Sequence, residues 1–357
     1  MSSNNIKLYC PYCNEFKNKE EFTKEHVLLE SLGGTLEFGI NSCEICNNQL
    51  GSRVDRILVE NFLIKSYRML YKIRGKDGKI PTIFLKNGKI IETDDIVNVT
   101  FSKDGPKLFI KPEVQKDINT EKIQIKGNKD ISFQALEKVK KRNERSFSNK
   151  DFKNINIEIV EHGPDESFNQ DNIINELKNK LEEIGIAATV NSVEYNKIKP
   201  RINHSITFGM NDLDRGIVKM ALGFAIFILG EEFGIEPEAQ LLRRFIWEDN
   251  EQLRENIKIK GQVFPNINEN IKNLDYIFSK KGYHIFALID AGDGIGCYIN
   301  LFGEIPNLVY ITDKTTKYKS KINGGKVLSF QIQTKEMSIL SFHQFVASRL
   351  DEINGRV

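Results

Sequence analysis

The sequence has no long uninterrupted apolar run and no recognisable export signal. Its longest apolar stretch, Ile217 to Leu229, is interrupted by Lys219 and is too short to cross a bilayer. The first residues, 1–5, lack the basic and apolar regions that characterise a secretory signal. From these absences we expect a soluble, cytoplasmic protein with no membrane partner.

The chain also lacks a strong charge of either sign. Its 357 residues carry 51 basic and 49 acidic side chains, and the formal net charge of +2 does not by itself imply a polyanionic partner. With 40% apolar and 28% charged residues, the chain can bury a sizeable core, which excludes a disordered or collagen-like protein. The charge is unevenly distributed, because residues 61–160 carry 22 basic against 13 acidic side chains.

The periodicity of apolar residues predicts an α+β protein. Helical spacing over residues 48–72 predicts one long helix, and short β-like runs over residues 79–125 predict antiparallel hairpins. The turn pairs between those runs are Asn87-Gly88 and Asp104-Gly105. Further patterns predict helices at 132–150, 171–184, 215–233 and 341–354, and strands at 155–160, 283–290, 296–302, 308–312 and 326–333. The helix at 215–233 is apolar nearly all round, which indicates a core helix or a subunit interface.

These elements suggest three parts. Residues 1–75 form an N-terminal module with its exit helix. Residues 76–153 form a β unit with a basic helix, either a linker or a nucleic-acid-binding unit. Residues 154–357 form an α+β domain for regulation, recognition or oligomerisation.

Cysteine is scarce, but four of the five cysteines form two C-x-x-C pairs. Cys10 and Cys13 are separated by 29 residues from Cys43 and Cys46, whereas Cys297 lies alone. In a chain without an export signal, such pairs indicate metal ligands rather than disulfides. Four thiolates fill a tetrahedral zinc shell, so we expect a structural zinc ion with no site for water.

Polar residues between and just after the two pairs are not needed by a zinc ribbon. Glu25 and His26 are adjacent, Asn41 precedes the second pair by two residues, and Asn47-Asn48 follows it directly. On an extended segment, neighbouring side chains point to opposite faces unless a bulge re-aims one of them. A carboxylate, an imidazole and carboxamides are the groups that phosphodiester hydrolysis needs, because it uses an oxygen-liganded divalent cation and a base for water.

This segment resembles the HNH endonucleases, or ββα-metal nucleases, in the branch framed by two C-x-x-C pairs. The resemblance covers roughly residues 8–60, and the matching residues are Cys10, Cys13, Glu25-His26, Ser31-Leu-Gly-Gly34, Asn41, Cys43, Cys46-Asn-Asn48 and Gly51. It implies an α+β protein in which a zinc-stapled ββα-metal (HNH) module precedes a small antiparallel β unit and a larger α+β domain.

The resemblance also implies roles for individual residues. His26 is the expected general base, and Asn41 is expected to hold the hairpin and orient the imidazole. Asn47, or alternatively Asn48, is the expected ligand of a catalytic Mg²⁺ or Mn²⁺, with Glu25 where the family often has aspartate. Structural roles remain open for the asparagines, which are favoured in turns and helix caps.

Basic residues at two places are candidates for phosphate contacts. Arg53 and Arg56 follow Asn47 on the same predicted helix, and a basic stretch includes Lys140, Lys141, Arg142 and Arg145. The alternative for both groups is a solvated or ion-paired helix face.

The sequence therefore predicts a metal-dependent DNA endonuclease. By family analogy alone, it is a bacterial restriction or anti-phage effector with a partner protein or an activating ligand. A homodimer is expected, because cutting both strands in one encounter needs two active centres. The alternatives are a non-catalytic zinc-ribbon adaptor that binds DNA or protein, and an HNH nuclease that acts on RNA.

Overall fold

The computed structural model describes residues 6–75, 77–111, 113–117, 122–127, 154–159, 170–183, 189–195, 201–206, 209–248, 250, 252–253, 257, 260–261, 275–290 and 294–355. The chain forms two compact units by its internal contacts. One unit combines both ends of the chain, Met1–Pro81 and Phe208–Val357, and the other is Thr82–Thr207. The predicted α+β class is confirmed, while the three-part division of the sequence stays a prediction.

The N-terminal region consists of two hairpins followed by a segmented helix. Its elements are β1 (Lys7–Cys10), β2 (Glu15–Asn18), β3 (Phe22–His26), β4 (Gly39–Cys43), α1 (Glu44–Leu50), α2 (Arg56–Glu60) and α3 (Phe62–Leu70). The strands β1 and β2 pair antiparallel, as do β3 and β4. A π-helical turn, Gly51–Asp55, joins α1 to α2. The backbone dihedral angles stay in the right-handed helical region at both ends of this turn.

The prediction of one continuous helix over residues 48–72 is wrong at Asn61. There the backbone leaves the helical region, with φ −53° and ψ 132°. The Asn61 side chain then accepts a hydrogen bond from the Leu63 backbone N–H at 3.0 Å. This is the geometry of a helix N-cap, so α3 is a separate helix with its own start.

The middle unit contains two four-stranded sheets. Its elements are β5 (Ile83–Ile90), β6 (Ile96–Ser102), β7 (Gly105–Ile110), β8 (Glu113–Asp117), β9 (Lys122–Gly127), β10 (Asn154–Ile159), α4 (Gln170–Glu183), β11 (Thr189–Tyr195) and β12 (Ile202–Asn203). The antiparallel sheet has the order β12-β5-β6-β7, and the mixed sheet has the order β11-β10-β9-β8. The predicted small antiparallel β unit is thus present.

One of the two predicted hairpin turns is instead a bulge. Asp104-Gly105 does lie at the β6–β7 turn, where Ser102 pairs with Gly105. Asn87-Gly88 lies inside β5, where the register with β6 shifts between Leu85 and Gly88 and Asn87 has φ +60°. An asparagine with positive φ suits a bulge as well as a turn, so the dipeptide alone does not distinguish them.

The C-terminal region is a six-stranded antiparallel sheet with helices. Its elements are α5 (Met210–Leu229), α6 (Glu231–Gly234), α7 (Pro237–Trp247), β13 (Lys260–Gly261), β14 (Tyr283–Asp290), β15 (Ile295–Leu301), β16 (Ile305–Thr312), α8 (Thr315–Ile322), β17 (Gly325–Gln331), β18 (Met337–Ser341) and α9 (Phe342–Ile353). The sheet order is β13-β16-β15-β14-β17-β18.

The N-terminal and C-terminal regions share one hydrophobic core. Phe38, just before β4, makes edge-to-face ring contacts with Phe224 and Phe227 of α5 and with Phe286 of β14, at centroid distances of 5.2 to 5.8 Å. Nearly every side chain of α5 from Leu213 onward is buried, so this helix is a core helix. In the part of the chain that the structure describes, no helix is long and apolar enough to cross a membrane.

Candidate functional site

The four cysteines of the two C-x-x-C pairs come together. Their Sγ atoms all lie within 4.8 Å of one another. Cys10 ends β1, Cys43 ends β4 and Cys46 lies in the first turn of α1, so the cluster joins both hairpins to the helix. The Cys10 sulfur also accepts a hydrogen bond from the Cys43 backbone N–H at 3.4 Å.

The electrostatics of the cluster favour a shared cation. A hydrogen bond from the Cys46 thiol is the main cause that lowers the pKa of Cys10 to about 4. Burial, and then the charge of Cys10, raise the pKa of Cys13 to about 12. One thiolate therefore opposes the ionisation of its neighbour, and a divalent ion bound by all four sulfurs removes that conflict. The cluster is consistent with structural zinc.

The C-terminal region holds the first cysteine pair by its backbone. The Arg243 guanidinium of α7 donates to the carbonyl oxygen of Pro11 at 2.6 Å, and the Trp247 indole N–H donates to that of Tyr12 at 2.8 Å. Both carbonyls belong to the turn between Cys10 and Cys13. The first cysteine pair is thus held by contacts from more than 200 residues away in sequence.

Replacing Cys46 with serine is expected to remove zinc and to destabilise the N-terminal region severely. A structural zinc site contributes about 10 kcal/mol or more to the folding of small zinc domains, because the metal binds only the folded ligand set. Elemental analysis should find one zinc per chain in the wild type and none in the variant, and thermal unfolding should begin at a lower temperature. The control is Cys297→Ala, which changes a buried cysteine of β15 outside the cluster and should keep the zinc. Full zinc content in Cys46→Ser would contradict the assignment.

A cleft of about 660 Å³ opens beside the cysteine cluster. The end of β3, the loop after it and one face of the α1–α2 helix line the cleft. The lining residues are Lys24, Glu25, His26, Leu29, Glu30, Ser31, Leu36, Asn47, Asn48, Gly51, Asp55, Arg56 and Val59. The helical members recur about every four residues, so they form one stripe along the helix.

His26 lies at the end of β3 and is half-buried in this cleft. The loop after it is held from β14, because His284 contacts the Leu32 carbonyl oxygen through Nε2 at 3.0 Å. The other ring nitrogen, Nδ1, accepts from the Phe302 backbone N–H at 3.2 Å. Burial lowers the pKa of His284 to about 3. That ring is therefore neutral, with the Nε2 proton donated to Leu32.

Asn47 lies on the helical stripe and contacts β3. Its amide nitrogen donates to the Thr23 hydroxyl at 2.8 Å and to the Lys24 carbonyl oxygen at 3.3 Å. This use of the amide nitrogen leaves the carbonyl oxygen as the atom of Asn47 suited to a cation. Asn48 lines the same cleft, so the choice between the two asparagines stays open.

Asn41 lies next to the cleft rather than in it. In the β3–β4 register, His26 pairs with Gly39 and Lys24 pairs with Asn41, so Asn41 lies two positions from His26 on the same face. Its side chain lines a separate cavity of about 150 Å³ together with Lys24. The predicted role of Asn41 in orienting the imidazole stays a prediction.

Glu25 belongs to a buried cluster of charges that sequence analysis missed. Its carboxylate forms an ion pair with the Lys219 ammonium, and both side chains are almost fully buried. The same ammonium lies 2.9 Å from each carboxylate oxygen of Asp55. Burial alone would lower the pKa of Lys219, but the charges of Asp55 and Glu25 outweigh it and raise that pKa. Lys219 is therefore charged.

Two exposed basic side chains line the cleft. Lys24 and Arg56 are both exposed and both line it, whereas the exposed Arg53 does not. The two predicted phosphate-binding arginines thus differ in position. The basic residues Lys140, Lys141, Arg142 and Arg145 lie outside the described residues.

Weak signals for the missed residues were present in the sequence. Asp55 follows Asn47 by eight residues, which is about two helical turns and therefore the same face. Lys219 is the single charge inside the most apolar helical stretch, and a buried charge requires a partner. What the sequence does not contain is the identity of that partner.

Comparison with protein-family models matches residues 10–63 to the HNH endonuclease family. No curated protein and no solved structure matches the chain. The matched segment contains all four clustered cysteines, the Glu25-His26 pair and the whole helical stripe of the cleft. An HNH domain implies nuclease activity and a nucleic-acid substrate. Residues 10–63 of this chain are therefore an HNH endonuclease domain with a four-cysteine cluster.

Proposed function

We propose that this protein is a metal-dependent endonuclease that hydrolyses DNA phosphodiester bonds at the cleft beside His26. One observation carries the proposal: the HNH segment lines a single cleft with an imidazole, oxygen donors and two exposed cations. A zinc-ribbon adaptor needs no such combination. Each group matches a separate requirement of phosphodiester hydrolysis.

The oxygen donors suit a hard divalent cation. Glu25 and Asp55 supply carboxylates and Asn47 supplies an amide oxygen, and Mg²⁺ and Mn²⁺ prefer such ligands. Glu25 and Asn47 are the residues that we propose to hold the ion, and Asp55 lines the same cleft. When bound, the ion would neutralise charge on the phosphate and on the departing oxygen.

His26 is the proposed general base. It lines the cleft from the end of β3, which pairs with β4, and β4 ends at Cys43 of the cysteine cluster. A positioned imidazole takes a proton from a water molecule most effectively when its pKa lies near the working pH. His26 therefore accepts the proton of the attacking water, and we expect products with 5′ phosphates.

Lys24 and Arg56 are the proposed phosphate contacts at the mouth of the cleft. Arginine binds phosphate through two parallel hydrogen bonds, whereas lysine acts as a point charge. Contacts of this kind read the backbone and not the bases. We therefore expect cleavage with little sequence preference from this part of the molecule. The homodimer, a partner or activating ligand and the restriction or anti-phage role stay predictions.

The proposal is tested by incubating the purified protein with plasmid DNA, single-stranded DNA and RNA, each with Mg²⁺, Mn²⁺ or excess EDTA. We expect cleavage of DNA with Mg²⁺ or Mn²⁺, no cleavage with EDTA, and little cleavage of RNA. Cleavage of RNA alone would replace the proposed substrate. Binding of DNA without cleavage under every condition would favour the adaptor.

A further inference from the structure

Helix α5 contributes a buried lysine that pairs with two carboxylates of the HNH segment. Lys219 is fully buried, and its ammonium contacts Glu25 and Asp55, which lies 164 residues away in sequence. Both carboxylates line the cleft that contains His26. The HNH segment supplies the residues that line the cleft, and Lys219 contacts two of their carboxylates from α5.

Two glycines allow α5 to approach this closely. Gly216 and Gly223 lie about one turn before and one turn after Lys219, on the same face of the helix. A Cβ atom at Gly216 would lie 2.6 Å from the Leu58 side chain, and one at Gly223 would lie 3.2 Å from that of Val27. Leu58 follows Asp55 by three residues and Val27 follows His26 directly, so the close approach is centred on the candidate site.

Both carboxylates contact the same ammonium. Asp55 engages the ammonium with both oxygens, at 2.9 Å each, and so fixes the end of the Lys219 side chain. The same ammonium also contacts the Glu25 carboxylate. Two carboxylates so close together would repel each other without a cation between them. The contacts thus run from Asp55 through Lys219 to Glu25.

We propose that Lys219 is a positioning residue of the nuclease site, which holds the Glu25 carboxylate against the cleft and is itself held by Asp55. The C-terminal region thereby completes the site, and the HNH segment is not an autonomous nuclease. The proposal rests on the proposed function, because it takes Glu25 as a ligand of the catalytic cation.

The test measures binding of Mn²⁺ alone to the full-length zinc-loaded protein by isothermal titration calorimetry. Loss of a residue that orients a metal ligand typically weakens metal affinity about 10- to 100-fold. We expect a loss of that size in Lys219→Met and a smaller loss in Asp55→Asn, which keeps the Lys219–Glu25 pair. The double variant should bind no more weakly than Lys219→Met, because Asp55 acts through Lys219.

The double variant and one control variant keep the test decisive. If Lys219→Met does not fold, the double variant restores the net charge of the cluster and should still show the loss. Lys280→Met removes an ion pair with Glu352 elsewhere in the C-terminal region and should bind Mn²⁺ as the wild type does.

Several outcomes would overturn the proposal. Unchanged binding by a folded Lys219→Met variant would show that the lysine only stabilises the fold. Tighter binding would show that the ammonium competes with the cation, and additive losses in the double variant would make Asp55 an independent ligand. Absence of Mn²⁺ binding by the wild type would instead count against the proposed function itself.

Discussion

Replacing His26 with alanine is expected to lower DNA cleavage by about 100-fold or more, because a positioned general base typically contributes 10²- to 10⁴-fold to a rate. The imidazole is half-buried at the end of β3 and is not among the buried core side chains. The fold and the four-cysteine cluster should therefore be unaffected. Initial rates of plasmid nicking with Mg²⁺ measure the loss, and melting temperature and zinc content verify the fold.

The matched control for this variant is His343→Ala. His343 is an exposed histidine in α9, outside the residues that line the cleft, so its loss should leave cleavage unchanged. If His26→Ala cleaves as fast as His343→Ala, another group must activate the water. The assignment of His26 would then be wrong, although the HNH domain would remain.

Part of the candidate site can be predicted from the sequence, because several of its residues are close in sequence. Glu25, His26 and Asn47 lie within one short segment framed by the cysteines, and the structure lines one cleft with all three. A hairpin and the helix that follows it constrain one another over few residues, so spacing alone limits where the side chains lie. The strands at 283–290 and 296–302 were predictable for a similar reason, because short apolar runs between turns indicate buried strands.

Contacts between residues far apart in sequence cannot be predicted from this sequence. Lys219 interrupts an apolar run, and the residues next to it in the sequence do not indicate that Glu25 and Asp55 are its partners. The grouping of Met1–Pro81 with Phe208–Val357 likewise depends on contacts that periodicity does not report. Apolar spacing also does not show where one helix ends and the next begins. It continues without a break at Asn61, but this residue caps a new helix.

Gly51 leads to the second prediction with a large expected effect. It lies on the helical stripe between Asn47 and Asp55, about one turn from each, and lines the cleft. Apart from its chain neighbours and the backbone of its own helix, a Cβ atom at this position would meet nothing within 4 Å, so a side chain here would extend into open space. The backbone is right-handed helical, with φ −55° and ψ −38°, which any residue adopts without strain.

Gly51→Leu is therefore expected to block the cleft without harming the fold. A leucine side chain would occupy the space between the proposed metal ligands and the incoming phosphate. Misplacing a reacting group by about 1 Å can cost about 100-fold in rate, so we expect cleavage to fall by at least that factor. The melting temperature should stay level or rise, because glycine inside a helix is about 0.5 to 1 kcal/mol less favourable than alanine.

Gly51→Ala separates the loss of space from the gain in helix propensity. Its single methyl group should leave most of the cleavage rate in place and raise the melting temperature slightly. If both variants cleave at the wild-type rate, the substrate does not enter beside the helical stripe, and the scissile phosphate must reach His26 from another side. A stable Gly51→Leu protein that binds DNA but does not cut it would instead place the reacting phosphate between the helix and β3.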